Sequence, residues 1–61
     1  MELSSRIRSL RFEKNLTQKY VSQRLGVSEV SVRCWESGTK TPSMKAIIAL
    51  ASLFGVSTDY L

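Results

Sequence analysis

The stretch that most constrains this chain covers residues 17–36 and reads TQKYVSQRLGVSEVSVRCWE. Two short amphipathic patterns lie on either side of Gly26-Val27-Ser28. A glycine takes a left-handed backbone without steric cost, so Gly26 can stop the first helix. The Ser28 hydroxyl can accept an orphan N–H of the next first turn and so start the second. Only Val27 separates stop from start, which forces the two helices to cross at a steep angle.

The same punctuation organises the remaining sequence. Leu3, Ile7 and Leu10 fall at helical spacing and predict a first helix over 2–14. Asn15, which tolerates the left-handed conformation, closes it, and Leu16 anchors the connection. Thr17 caps the second helix, whose inward face is Val21 and Leu25, with Ser22 small enough for close approach. The third helix runs from Ser28 to about Ser37 and ends at Gly38. Residues 39–42 form an exposed loop, because Pro42 forces Thr41 out of helical geometry. Ser43 caps a fourth helix with Ile47, Leu50, Ala51 and Phe54 on one face. Gly55-Val56-Ser57 repeats the stop-and-start device and opens a fifth helix, cut off at Leu61. That abrupt end suggests that the native chain continues. No segment alternates long enough for a strand, so the expectation is all-α: five short helices in a single domain over 1–61.

Composition excludes several classes. A chain of 61 residues buries only about 60% of its unfolded surface, so its one small core is marginal. Cys34 is the single cysteine and histidine is absent, which rules out an internal disulfide and starves any structural zinc of ligands. The longest apolar run, 46–51, is far too short to cross a bilayer. The N-terminus lacks the apolar stretch of a secretory signal. These features describe a soluble protein of a reducing compartment. An enzyme is the weakest reading, with no histidine and no carboxylate pair placed to share a site. A redox role for Cys34 lacks a resolving cysteine.

Charge points to a partner. The net charge is +4, and the excess sits wholly within residues 1–40, around the two-helix unit. That distribution suits a polyanion, although a mildly basic solvated surface would look the same.

The third helix gives the sharper sign. On a wheel of about 100° per residue with Val32 inward, Ser28, Trp35 and Glu36 lie on or beside the buried side. Val30 and Cys34 then fall near the opposite pole, flanked by Arg33 and Ser31. Scattered exposed apolar residues are common. The functional reading is that a partner surface covers these two, as thymine methyls would in a major groove. Arg33 can fork onto a guanine or pair with a phosphate. Glu29 can accept from a cytosine amino group, or simply favour the positive end of the helix dipole. Ser31 has a short hydroxyl suited to a phosphate oxygen. Gln18, in the first turn of the second helix, would add a side-chain donor where backbone N–H groups are unpaired. As an ordinary surface glutamine it would mean nothing. Lys40 is a second phosphate candidate.

Taken together these residues resemble the Cro/phage-repressor type of helix-turn-helix, the Xre family, from Arg6 to Leu61. The resemblance is carried by Arg6-Ile7-Arg8 with Arg11, Leu16-Thr17-Gln18, Leu25-Gly26-Val27-Ser28, Val32, Trp35-Glu36-Ser37-Gly38, Lys40 with Pro42-Ser43, and Leu50-Ala51 through Gly55-Val56-Ser57. It implies a compact five-helix lambda-repressor-like DNA-binding domain with the helix-turn-helix at 17–36. It also implies a sequence-specific transcriptional regulator, expected to be a repressor, that docks its third helix on double-stranded DNA as a homodimer. Glu29, Val30 and Cys34 match base-reading positions, with Arg33 beside them. Gln18 matches a phosphate-binding glutamine, and Thr17, Ser31, Thr39 and Lys40 match frequent backbone contacts. Arg11 and Glu36 match a buried structural ion pair. The resemblance further implies a bacterial or phage-encoded cytoplasmic protein, with no cofactor, metal, membrane or small-molecule ligand in this domain. Two departures stand out. Tyr20-Val21-Ser22 replaces a common Glu-Leu-Ala in the second helix, and Cys34 replaces an Arg or Gln common at the outward recognition position. The competing reading is a protein-interaction module that kept the fold and lost DNA.

Overall fold

A computed structural model of the chain describes residues 2–61. It contains four α-helices: α1 Leu3–Glu13, α2 Gln18–Leu25, α3 Glu29–Ser37 and α4 Met44–Phe54. Each boundary has a local chemical cause. The hydroxyls of Thr17, Ser28 and Ser43 accept from the backbone N–H groups of Tyr20, Ser31 and Ala46, at 3.0, 3.1 and 3.2 Å. Asn15 takes φ 57° after α1, and the Leu16 N–H returns to the Arg11 carbonyl at 3.0 Å. Gly26 at φ 71° ends α2 and lets the Val27 N–H reach the Ser22 carbonyl.

The expected fifth helix does not form. Ser57 does begin a turn, accepting from the Tyr60 N–H at 3.1 Å with its hydroxyl and from the Leu61 N–H at 3.3 Å with its carbonyl. Residues 58–60 are a turn and no more. A first turn fixes several residues for one hydrogen bond, and only propagation recovers that cost. The turn is instead held from outside. Arg6 donates from Nη1 to the Tyr60 carbonyl, and its guanidinium lies 4.4 Å from the Tyr60 ring centroid.

α3 packs between α1 and α2, while α4 lies against both of those helices. The core is Ile7 and Leu10 from α1, Val21 from α2, Val32 and Trp35 from α3, and Leu50 and Phe54 from α4. Leu3, Leu16, Leu25 and Val27 pack around it with Leu53, Val56 and Leu61. Ser22 is buried, as close approach of helices requires, and satisfies its hydroxyl on the Lys19 carbonyl at 2.7 Å. Two side chains differ from expectation. Ile47 is only half-buried, because Leu50, Ala51 and Phe54 define the inward stripe of α4. Pro42 is buried although Thr39, Lys40 and Thr41 are exposed, so the loop returns to the protein at its far end.

Candidate nucleic-acid interface

Half of α3 faces away from the core. Val32 and Trp35 are buried, whereas Glu29, Val30 and Arg33 are exposed, Val30 by 56%. Cys34 is less open than the wheel placed it and is half-buried. The chain after α3 folds back over this turn. The Cys34 carbonyl accepts from the Thr39 and Lys40 N–H groups at 3.0 and 3.3 Å and from the Ser37 hydroxyl at 3.1 Å. That fold also positions two of the expected phosphate residues. Thr39 shares a 2.8 Å hydroxyl–hydroxyl hydrogen bond with Ser37, and Lys40 is exposed beside it.

Beside α3 lies the first turn of α2, whose leading N–H groups have no intrahelical acceptor. Thr17 uses its hydroxyl oxygen as the cap acceptor, which leaves the hydroxyl proton to donate outward. Ser31 is half-buried and its Oγ sits 3.0 Å from the Ser28 Oγ, so the two hydroxyls form a pair at the start of α3.

Behind this surface is a network that joins three helices. Arg11 grips Glu36 with two parallel donors, Nε to Oε2 at 2.5 Å and Nη2 to Oε1 at 2.9 Å. Its Nη1 donates to the Leu16 carbonyl at 2.8 Å. The Arg11 and Glu36 side chains are 9% and 5% exposed. Such bidentate geometry is what allows a buried charge pair to offset its desolvation. Sequence reasoning did not place Gln18 in this network. Its Nε2 donates to Glu36 Oε1 at 3.1 Å, and Gln18 is half-buried. The contact fixes the amide orientation, since the opposite one would set two acceptors against each other. One amide N–H is thus spent on Glu36 and the second remains for a ligand.

Arg8 is a further residue that sequence reasoning left unassigned. With Gln18, Arg33 and Ser37 it lines a cleft of about 210 Å³ whose floor is the Arg11–Glu36 pair. A hint existed in the sequence, because Arg8 precedes Arg11 by three residues and so shares its helical face. Among the described residues no group of three or more His, Cys, Asp and Glu could hold a metal ion. No described helix is long and apolar enough to cross a membrane.

Four helices, with an α2–α3 pair joined by a glycine turn and α3 half-exposed, define a helix-turn-helix architecture. The helix-turn-helix family model matches residues 7–61, and the chain belongs to that family. Among curated relatives, the HTH-type transcriptional activator BcrR of Enterococcus faecalis is 36% identical over 61 residues, covering all of this chain and 30% of the relative. The cryptic phage CTXphi transcriptional repressor RstR of Vibrio cholerae is 38% identical over 53 residues, covering 87% of this chain and 48% of its own. The chain thus spans 30% of the first relative and 48% of the second. Among solved structures, the P22 c2 repressor in complex with a synthetic operator superposes with a TM-score of 0.92 at 28% identity, over 98% of this chain and 91% of that one. The fold is that of the lambda-repressor-like group.

Proposed function

We propose that this chain is the DNA-binding domain of a transcriptional regulator, laying α3 in the major groove of double-stranded DNA. The observation that carries the reading is the outward half of α3. It presents Glu29, Val30 and Arg33 to solvent, with Gln18 of the first turn of α2 tied to Glu36 and the exposed Lys40 loop following its C-terminal end. An α-helix fits the major groove, where base edges display a unique donor, acceptor and methyl pattern. Val30 and Cys34 supply apolar contact for thymine methyls, and Glu29 an acceptor for a cytosine amino group. Thr17, Gln18, Ser31, Thr39 and Lys40 hold the backbone. Arg11 and Glu36 act on DNA indirectly, by keeping α1, α2 and α3 in register and by holding the Gln18 amide. Binding and positioning, not catalysis, are what these groups can do.

The superposition on an operator-bound repressor supports the partner, and a homodimer supports the affinity, since one helix reads few base pairs. Half-sites about 34 Å apart suit such a dimer, and each body measures 24 × 21 × 21 Å. Repression in the cytoplasm is the simplest activity, because occluding a promoter needs no surface beyond the DNA-binding face. Selection from a random duplex pool tests the proposal. A specific site should emerge, with affinity falling steeply as salt rises. Val30→Ala should alter its sequence preference, and Lys40→Ala should weaken all sites alike. Failure to retain any duplex at low salt would favour the protein-interaction reading.

A further inference from the structure

Two guanidinium groups, Arg8 from α1 and Arg33 from α3, line the cleft above the Arg11–Glu36 pair. Both are exposed, and neither forms an ion pair among the described residues. The Glu36 carboxylate beneath them is occupied by Arg11 and Gln18. The cleft therefore carries an uncompensated positive charge, with the second Gln18 amide N–H on its wall. Arg8 is also braced, its guanidinium lying 5.5 Å from the Phe12 ring centroid on the next turn. Phe12 itself is 57% exposed and gives Arg8 a flat wall to lie against without burying its charge.

We propose that Arg8 and Arg33 form one seat for a backbone phosphate diester, with the second amide N–H of Gln18 as its third donor. This rests on the DNA-binding reading and refines it in two respects. Arg8 becomes a phosphate ligand that the motif alone does not indicate. Arg33 leaves the base-reading set, since of its two possible partners the one that shares a cleft with Arg8 is the phosphate. Guanidinium forks match tetrahedral oxyanions bidentately. Guanine O6 and N7 are acceptors that Arg33 alone could meet, but a neutral base edge would leave the paired positive charge of Arg8 and Arg33 uncompensated.

The test compares wild type with Arg8→Ala, Arg33→Ala and the double variant, on the duplex selected from a random pool and on a scrambled duplex of equal length. Log affinity is plotted against log salt. One phosphate contributes a slope of about 0.9. The double variant should lose about that much, with the ratio between the two duplexes unchanged for every variant. An unchanged slope, a loss near 1.8 (two separate phosphates), or a shifted preference in Arg33→Ala overturns the seat. An inorganic phosphate titration reads the seat without DNA. The Nε–Hε NMR signals of Arg8 and Arg33 should both move, each less so when the other arginine is alanine. Signals that stay still overturn the seat even where duplex binding holds. Signals that move while no duplex is retained keep the seat and overturn the DNA reading. Unchanged urea midpoints, followed by Trp35 fluorescence, establish that the variants are folded.

Discussion

Replacing Glu36 by alanine removes one carboxylate and strands three donors. Arg11 loses the partners of both Nε and Nη2 and keeps only the Leu16 carbonyl, while Gln18 loses the acceptor of its Nε2. At 9% side-chain exposure the guanidinium cannot recover its lost hydration without moving. Breaking a buried pair from one side costs about 3–5 kcal/mol. The whole stability of a 61-residue domain, at about 0.05–0.15 kcal/mol per residue, is about 3–9 kcal/mol. Glu36→Ala should therefore remove at least about a third of that stability at 25 °C, and all of it if the domain sits at the low end of the range. Removing both charges is different. Arg11→Met with Glu36→Met replaces the pair by flexible apolar side chains and should cost far less than the single change, because no charge is left buried. Urea titration followed by the fluorescence of Trp35, the single tryptophan and 7% exposed, measures both. A Glu36→Ala cost below about 1 kcal/mol would place the pair with screened surface bridges and refute the argument. So would a double variant as unstable as the single one.

Three further expectations concern the frame around that pair. Gly26→Ala should cost about 1–2 kcal/mol by urea titration, the left-handed penalty for a Cβ, because φ is 71° while the added methyl would meet open space. Gly26→Asn should cost less, since asparagine tolerates that conformation. Ser28→Ala should cost about 1 kcal/mol by losing the cap on the Ser31 N–H, and amide exchange at Ser31 should accelerate with it. Leu50→Ala should cost about 2–5 kcal/mol in the fully buried core, enough to lower the melting temperature by more than about 8 °C in calorimetry.

What could be read in advance was whatever is decided within a few residues. The caps at Thr17, Ser28 and Ser43, the left-handed closures at Asn15 and Gly26, and the inward Val32 and Trp35 all follow from local chemistry and helical period. The failures share a cause. Gly55-Val56-Ser57 and Gly26-Val27-Ser28 look alike, but the second triplet is followed by a full amphipathic helix and the first by a single turn. A stop-and-start signal says where a helix can begin and nothing about whether it propagates. Cys34 was placed on the open pole because a wheel knows its own helix only. Its half-burial is set by neighbours outside α3, which no helical period describes. In the same way Gln18 was visible as a donor in a first turn, but its tie to Glu36 spans eighteen positions and depends on how α2 crosses α3.

That tie changes how the surface should be understood. Gln18 faces outward with one amide N–H because the other is held by a carboxylate that Arg11 holds in turn. The outward donor and the buried pair are consecutive links of one chain of hydrogen bonds. A rigid donor loses little rotamer freedom on meeting an anion, so its contribution to binding is larger than that of a freely rotating glutamine. It follows that the Arg11→Met, Glu36→Met variant, though folded, should bind DNA more weakly than wild type, uniformly across sequences. The effect requires Gln18. In a Gln18→Ala background the same double change should reduce affinity much less, and equal losses in both backgrounds would show that the buried pair acts on DNA by another route. The core polar pair of this domain is then as much a part of its anion-binding surface as the residues that touch solvent.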